Sequence, residues 1–230
     1  MNTNLWKRTI AGVDGCKRGW VVVSHSPDGN FAVKVFPQFA AVLEDVHDVI
    51  VVDIPIGLLD KGTRMADCAA RRALKGRSCC VFTAPLRPML ASRDYSEANA
   101  CRQRIEGKGL TKQAWAILAK IAEVDQLVTP ERQARIKEGH PEVSFAYMNR
   151  GQALHSSKHT TEGHQARITL LTIYFPNIAS LVQEHERIAE DVVDAFAMLW
   201  TAQRVSEGRA LALPGEPQRD SRGLLMQIWA

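Results

Sequence analysis

The sequence has no long apolar run. Its longest stretches, such as Trp20 to Val23 and Val49 to Val52, fall far short of the roughly 18 apolar residues that a membrane span requires. Met1 to Ile10 also lacks the continuous apolar segment of a secretory signal, so a cytoplasmic protein that engages no membrane is the expectation. Cysteine is sparse: Cys16, Cys68, Cys79, Cys80 and Cys101 form an odd set with no C-x-x-C, which favours reduced thiols over a disulfide framework or a zinc ribbon. Cys79 and Cys80 are expected to serve in packing. The G-x-S-x-G, Walker A and G-x-G-x-x-G patterns are missing, and His185-Glu186 lacks the second histidine of H-E-x-x-H. The commonest hydrolase, P-loop, dinucleotide and metalloprotease signals are thereby removed. His155, His159 and His164 lie close together, but no carboxylate or thiolate completes a known zinc spacing.

The 230 residues are 46% hydrophobic and 23% charged, enough apolar material for a sizeable core; disorder, a collagen-like chain and a disulfide-stapled miniprotein are excluded. The net charge of +4 is unevenly spread. Residues 60–112 carry 12 basic and 5 acidic side chains, so this segment is +7 and the remainder −3. Such a segment suits an anionic partner or forms a solvated basic face. Within it and beyond, Arg77, Arg87, Lys108, Lys112 and Lys158 fall in Gly- or Pro-flanked stretches from which a basic side chain can reach a phosphate.

Strand signals come first along the chain. Thr9 to Asp14, Trp20 to Ser24 and Phe31 to Phe36 are separated by Gly-bounded turns and predict an antiparallel meander. Phe39 to Val46 predicts a short amphipathic helix, and Asp48 to Ile54 a parallel strand buried on both faces. After Pro55 the pattern turns helical. Asp67 is expected to cap one helix, and Thr111 a longer one that runs to Pro130. His140 to Phe145 is a strand candidate weakened by Pro141, His164 to Phe175 and Ile188 to Val205 predict helices, and Leu224 to Trp229 a closing strand. No repeat or linker divides the chain, so a single domain, residues 1–230, with a basic, mostly helical insertion at 55–135 is expected.

The informative acids lie in apolar surroundings. Asp14 ends the first strand before Gly15, and Asp53 ends a run of Val and Ile where a carboxylate is costly unless it is paired or binds a cation. It also has the simpler reading of a cap on the Pro55-Ile56-Gly57 turn. Asp191 and Asp194, three apart, project from one side of the late helix. Dipole compensation accounts for Glu190 and Asp191; it accounts less well for Asp194, which lies deeper beside the small Ala195 and Ala197.

An acid on the first strand, one on the strand after the first helix and a late-helix D-x-x-D-A resemble the RNase H-like nucleases, the RuvC-type branch in particular. More closely, V-D-G-C-x-x-G-W, V-V-D-I-P-I-G-L, R-S-C-C-V-F-T-A-P, G-K-G-L-T-K-Q, H-P-E-V-S-F, S-K-H-T-T-E-G and D-V-V-D-A, in that order, resemble the domain of unknown function 429 family, described as predicted nucleases of RNase H fold. The resemblance implies a mixed five-stranded sheet in the order 3-2-1-4-5, flanked by helices. It implies Asp14, Asp53 and Asp194, with Asp191, as ligands of Mg²⁺ or Mn²⁺, and Glu142 of the H-P-E motif as a lower-ranked ligand or supporting group on a strand farther out.

The expected chemistry is phosphodiester hydrolysis in nucleic acid by a carboxylate-held metal pair, with the basic segment gripping the backbone. The alternative is a non-catalytic protein of the same fold that holds nucleic acid or a phosphorylated ligand. An actin-like or sugar-kinase relative fits less well, because the chain is short for two lobes and shows no second D-x-G after a strand.

Overall fold

The computed structural model describes residues 8–230. Strands β1 (Ile10–Cys16), β2 (Gly19–His25) and β3 (Phe31–Phe36) form the antiparallel meander. Helix α1 (Phe39–Glu44) leads to β4 (Val49–Val52), which lies parallel to β1 with Val13 opposite Val52. The next strand, β5 (Ile136–Gly139), is reached only after a long helical excursion: α2 (Met65–Ala73), α3 (Tyr95–Glu106), α4 (Lys112–Ala116) and α5 (Leu118–Leu127). There follow α6 (Pro141–Met148), α7 (Thr161–Thr172), α8 (Ile178–Glu184) and α9 (Ala189–Ser206). A C-terminal hairpin of β6 (Ala212–Arg219) and β7 (Leu225–Trp229) completes a seven-stranded sheet in the order β3-β2-β1-β4-β5-β7-β6.

The 3-2-1-4-5 order is thus present within a wider sheet, and three expectations change. His140 to Phe145 is not a strand: Pro141 stands at the first helical position, where its missing N–H costs nothing, and starts α6. The strand is the preceding Ile136–Gly139, and the C-terminal hairpin adds two further strands beyond it. Asp67 does not cap α2. It sits in the first turn, where its carboxylate accepts hydrogen bonds from Arg64 and from the Ala84 N–H. The longer helix after Thr111 breaks at Ile117 into α4 and α5, although Thr111 caps α4 as expected by accepting from the Ala114 N–H.

Alternation along the strands builds two cores. Ile10, Val21, Val23, Val49 and Val51 face α9 and its neighbours, including Phe145, Phe175 and Phe196. Ala11, Val13, Val22, Ile50 and Val52 face the other way, toward Phe39, Val42, Ile121 and Val124 of α1 and α5. The insertion has its own apolar centre, including Leu86, Met89, Cys101 and Leu118. Among the described residues no helix is long and apolar enough to cross a membrane.

Candidate active site

Period-2 alternation places Asp14 on the same sheet face as Ile10 and Gly12, the face covered by α9. The parallel register sets Asp53, the residue after β4, beside Asp14, and the Asp53 N–H donates to the Val13 carbonyl at 2.9 Å. Both carboxylates therefore emerge at the carboxyl ends of adjacent strands, where open α/β sheets bind their ligands. The helix approaches this point because residue 12 is glycine. A Cβ there would collide with the Ala195 carbonyl oxygen and the Leu199 nitrogen, so Gly12 lets α9 lie directly on β1. Met198 packs over Val51 and Gly139. One turn earlier on the same helical face stands Asp194, beyond the ends of β4 and β5.

Asp14 and Asp194 are buried, at 8% and 2% exposure, and Asp53 is part-buried in the wall of a cavity. Burial holds the Asp14 carboxyl well above its ordinary pKa, and the nearby negative charges of Asp53, Asp194 and Asp191 add to the shift. Burial also raises Asp53, to about 6, against the lowering influence of His140. Asp191 is raised by burial and by its neighbours Asp194 and Glu190. A cation is paired with one of these acids. The Lys158 ammonium donates to Asp194 Oδ2 at 2.7 Å and pairs with Glu190 at 3.1 Å. Burial alone would lower its pKa, but the two carboxylates outweigh burial and keep it protonated.

The second oxygen of Asp194, Oδ1, is buried without a hydrogen-bond partner. An orphaned carboxylate oxygen amid mutually repelling acids is compatible with a bound cation, and an all-oxygen donor set suits Mg²⁺ or Mn²⁺. As placed, however, no three His, Cys, Asp or Glu side chains among the described residues are gathered around a common point to hold a metal ion. Lys158 occupies the other oxygen, Oδ2, and supplies Asp194 with a positive charge that a metal ion would have to share or replace.

The remaining residues named from sequence divide clearly. Glu142 is in the first turn of α6, at the end of β5, and is gripped in bidentate fashion by the buried Arg167 at 2.6 to 3.0 Å. Its charge nevertheless reaches both Asp53 and Asp194. Arg77 lines the cavity, donating to the His155 carbonyl and to Cys80 Sγ. Arg87 is committed elsewhere, to Asp125 and Asp220, so it offers nothing to a phosphate. Lys108 is exposed before α4, and Lys112 lies over the Tyr95 ring, 3.4 Å from its centre. Cys79 and Cys80 both border the cavity; Cys80, half-buried, packs against an apolar cluster that includes Ala70, Val81 and Ala146, as expected, whereas Cys79 is exposed and does not serve in packing.

Two cavities meet at these carboxylates. One, of about 300 Å³, includes Asp53, Arg77, Phe82, His140, Lys158 and Asp194 in its wall. The other, of about 350 Å³, includes Asp14, Lys17, Asp53, Phe82 and Lys120. His140, Phe82, Lys17 and Lys120 were not singled out from sequence. His140 and Phe82 fall within the H-P-E-V-S-F and R-S-C-C-V-F-T-A-P motifs, which held the signal for them; Lys17 stands at an unspecified position of V-D-G-C-x-x-G-W and Lys120 lies in no motif, so neither was marked.

No curated protein and no solved structure matches the chain. The family model described as a protein of unknown function, DUF429, matches residues 12–219, a span that takes in every carboxylate of the cluster. The chain belongs to the DUF429 family.

Proposed function

We propose that this protein is a divalent-metal-dependent nuclease on an RNase H-like fold of the RuvC type. What supports the reading is the convergence of Asp14 and Asp53, at the ends of neighbouring strands, with Asp194 of α9, whose Oδ2 is paired with Lys158. Mg²⁺ or Mn²⁺ held by Asp14, Asp53 and Asp194, with Asp191 alongside, would supply activation of water and charge stabilisation at the leaving oxygen. The protein's own contribution is positional. Burial keeps the acids under-solvated and therefore strongly disposed toward a cation. Arg77, His140 and Lys158 border the cavity where a phosphate would enter.

The alternative is a non-catalytic protein of this fold that holds nucleic acid or a phosphorylated ligand. One observation favours it: Lys158 already supplies Asp194 with a counter-charge. Purified protein with Mn²⁺, offered single-stranded, duplex, hybrid and branched substrates, decides between the two. The nuclease reading expects cutting of at least one substrate and its loss in Asp14→Asn, with binding retained. Salt-sensitive binding with no cleavage under any divalent metal selects the alternative.

A further inference from the structure

The two cavities share Asp53 and Phe82 and diverge from there. One opens above the ends of β4 and β5, toward His140; the other opens above β1, toward Gly15 and Lys17. Helix α4 lies along both, giving Gln113 to the first and Ala116 to the second. The carboxylate cluster therefore stands at the junction of a two-chambered groove. Each chamber has an aromatic wall in Phe82 and basic side chains of its own: Arg77 and Lys158 in one, Lys17 and Lys120 in the other, with Lys158 paired to Asp194 and Glu190 and Lys120 donating to the Gly19 carbonyl.

We infer that the chambers are subsites for the two nucleotides flanking a scissile phosphate, and that the substrate is an unpaired strand threaded past Phe82. The inference rests on the nuclease reading for its phosphate position. Chambers of about 300 and 350 Å³ are at the small end of the range for ligand pockets, and each is suited to a single nucleotide unit. A base stacked and paired in a duplex cannot enter such a chamber without being extruded, whereas an unpaired base enters freely. An aromatic face flanked by basic groups is the usual means of gripping single strands, because every base has a face to stack and every linkage a charge.

The test measures fluorescence anisotropy of Asp14→Asn protein with Ca²⁺, using a short labelled single strand as DNA, as RNA, and annealed to its complement. Unlabelled dinucleotide and mononucleotide serve as competitors. The unpaired forms should bind at least about tenfold tighter than the duplex, and the dinucleotide should compete better than the mononucleotide. Phe82→Ala should weaken binding about tenfold and Phe82→Tyr should restore most of it, which separates stacking from a folding defect. The DNA and RNA arms tell which strand the groove prefers. Duplex binding equal to single-strand binding, or a mononucleotide competing as well as the dinucleotide, overturns the inference. The nuclease reading fails differently. Single-strand preference without cleavage by wild-type protein in Mn²⁺ keeps the subsites and removes the reaction, while cleavage of duplex with Phe82→Ala fully active keeps the reaction and removes the subsites.

Discussion

Asp53 works against the stability of the fold that holds it. Burial raises its folded pKa to about 6 from an ordinary 3.8, so the native state takes up a proton before the unfolded chain does as pH falls. Stability of metal-free protein therefore rises as pH drops from about 6 toward 4, and the cost of the charged group is fully felt above 6. Allowing for solvent on the cavity side, that cost is about 2 kcal/mol. Asp53→Asn should raise the melting temperature at pH 8 in EDTA, with the advantage fading toward pH 4; an unchanged or lower value at pH 8 would remove the argument. Lys158 poses the complementary question. Its ammonium neutralises Asp194 through Oδ2, so on the nuclease reading Lys158→Met should bind Mn²⁺ several-fold more tightly by calorimetry. Weaker Mn²⁺ binding would show that the lysine orients Asp194 and does not compete for it.

At the scale of elements, the site depends on how closely α9 can approach β1, and Gly12 sets that distance. Gly12→Ala forces a methyl group into the backbone at Ala195 and Leu199, and overpacking of this kind costs about 1 to 3 kcal/mol. Because Asp194 travels with the helix, Mn²⁺ affinity should fall by more than the stability loss alone explains, as read by urea denaturation and calorimetry of the same protein. Much of this element layout was legible in the sequence. Asp14 and Asp53 betrayed themselves as carboxylates at the ends of apolar runs, and D-V-V-D-A as acids at the start of a buried helix. Strand β5 was not, because its four residues, I-K-E-G, include two charges, and Glu138 is buried only through pairing with Arg64, 74 residues earlier in the chain. Helix α6 hid for the opposite reason: nearly every residue in P-E-V-S-F-A-Y-M is buried, so no polar face marks a helical period. Strand β6 contains Pro214 and Pro217, tolerated because it lies at the sheet edge.

Across the whole molecule, the basic insertion proves less available than its +7 charge suggested, because several of its arginines hold the parts together. Arg64 is buried against Glu138 of β5 and Asp67 of α2, with bonds of 2.9 and 2.8 Å, and also donates to the Ile56 and Gly57 carbonyls. Glu138 in turn accepts from the Ile56 N–H at 2.8 Å. Arg87 does similar work on the other flank, tying Asp125 of α5 to Asp220 before β7, and Asp220 receives the Leu58 N–H. The segment just after Asp53 is thereby clamped to the sheet from two sides. Breaking one partner of a buried ion pair strands the other, so Glu138→Gln should cost about 3 kcal/mol. Replacing Arg64 and Glu138 together by leucine should cost less than the two single losses combined, since neither member of that pair then faces an absent partner, although Asp67 keeps only the Ala84 N–H. In Glu138→Gln, hydrogen exchange should quicken at Ile56 and through α2 while β1, β2 and β3 keep their protection. Mn²⁺ affinity should fall as well, although Glu138 borders neither chamber, because the loosened segment begins three residues beyond Asp53. Exchange that quickens uniformly across the sheet would instead assign the clamp to global stability and leave the carboxylate cluster independent of it.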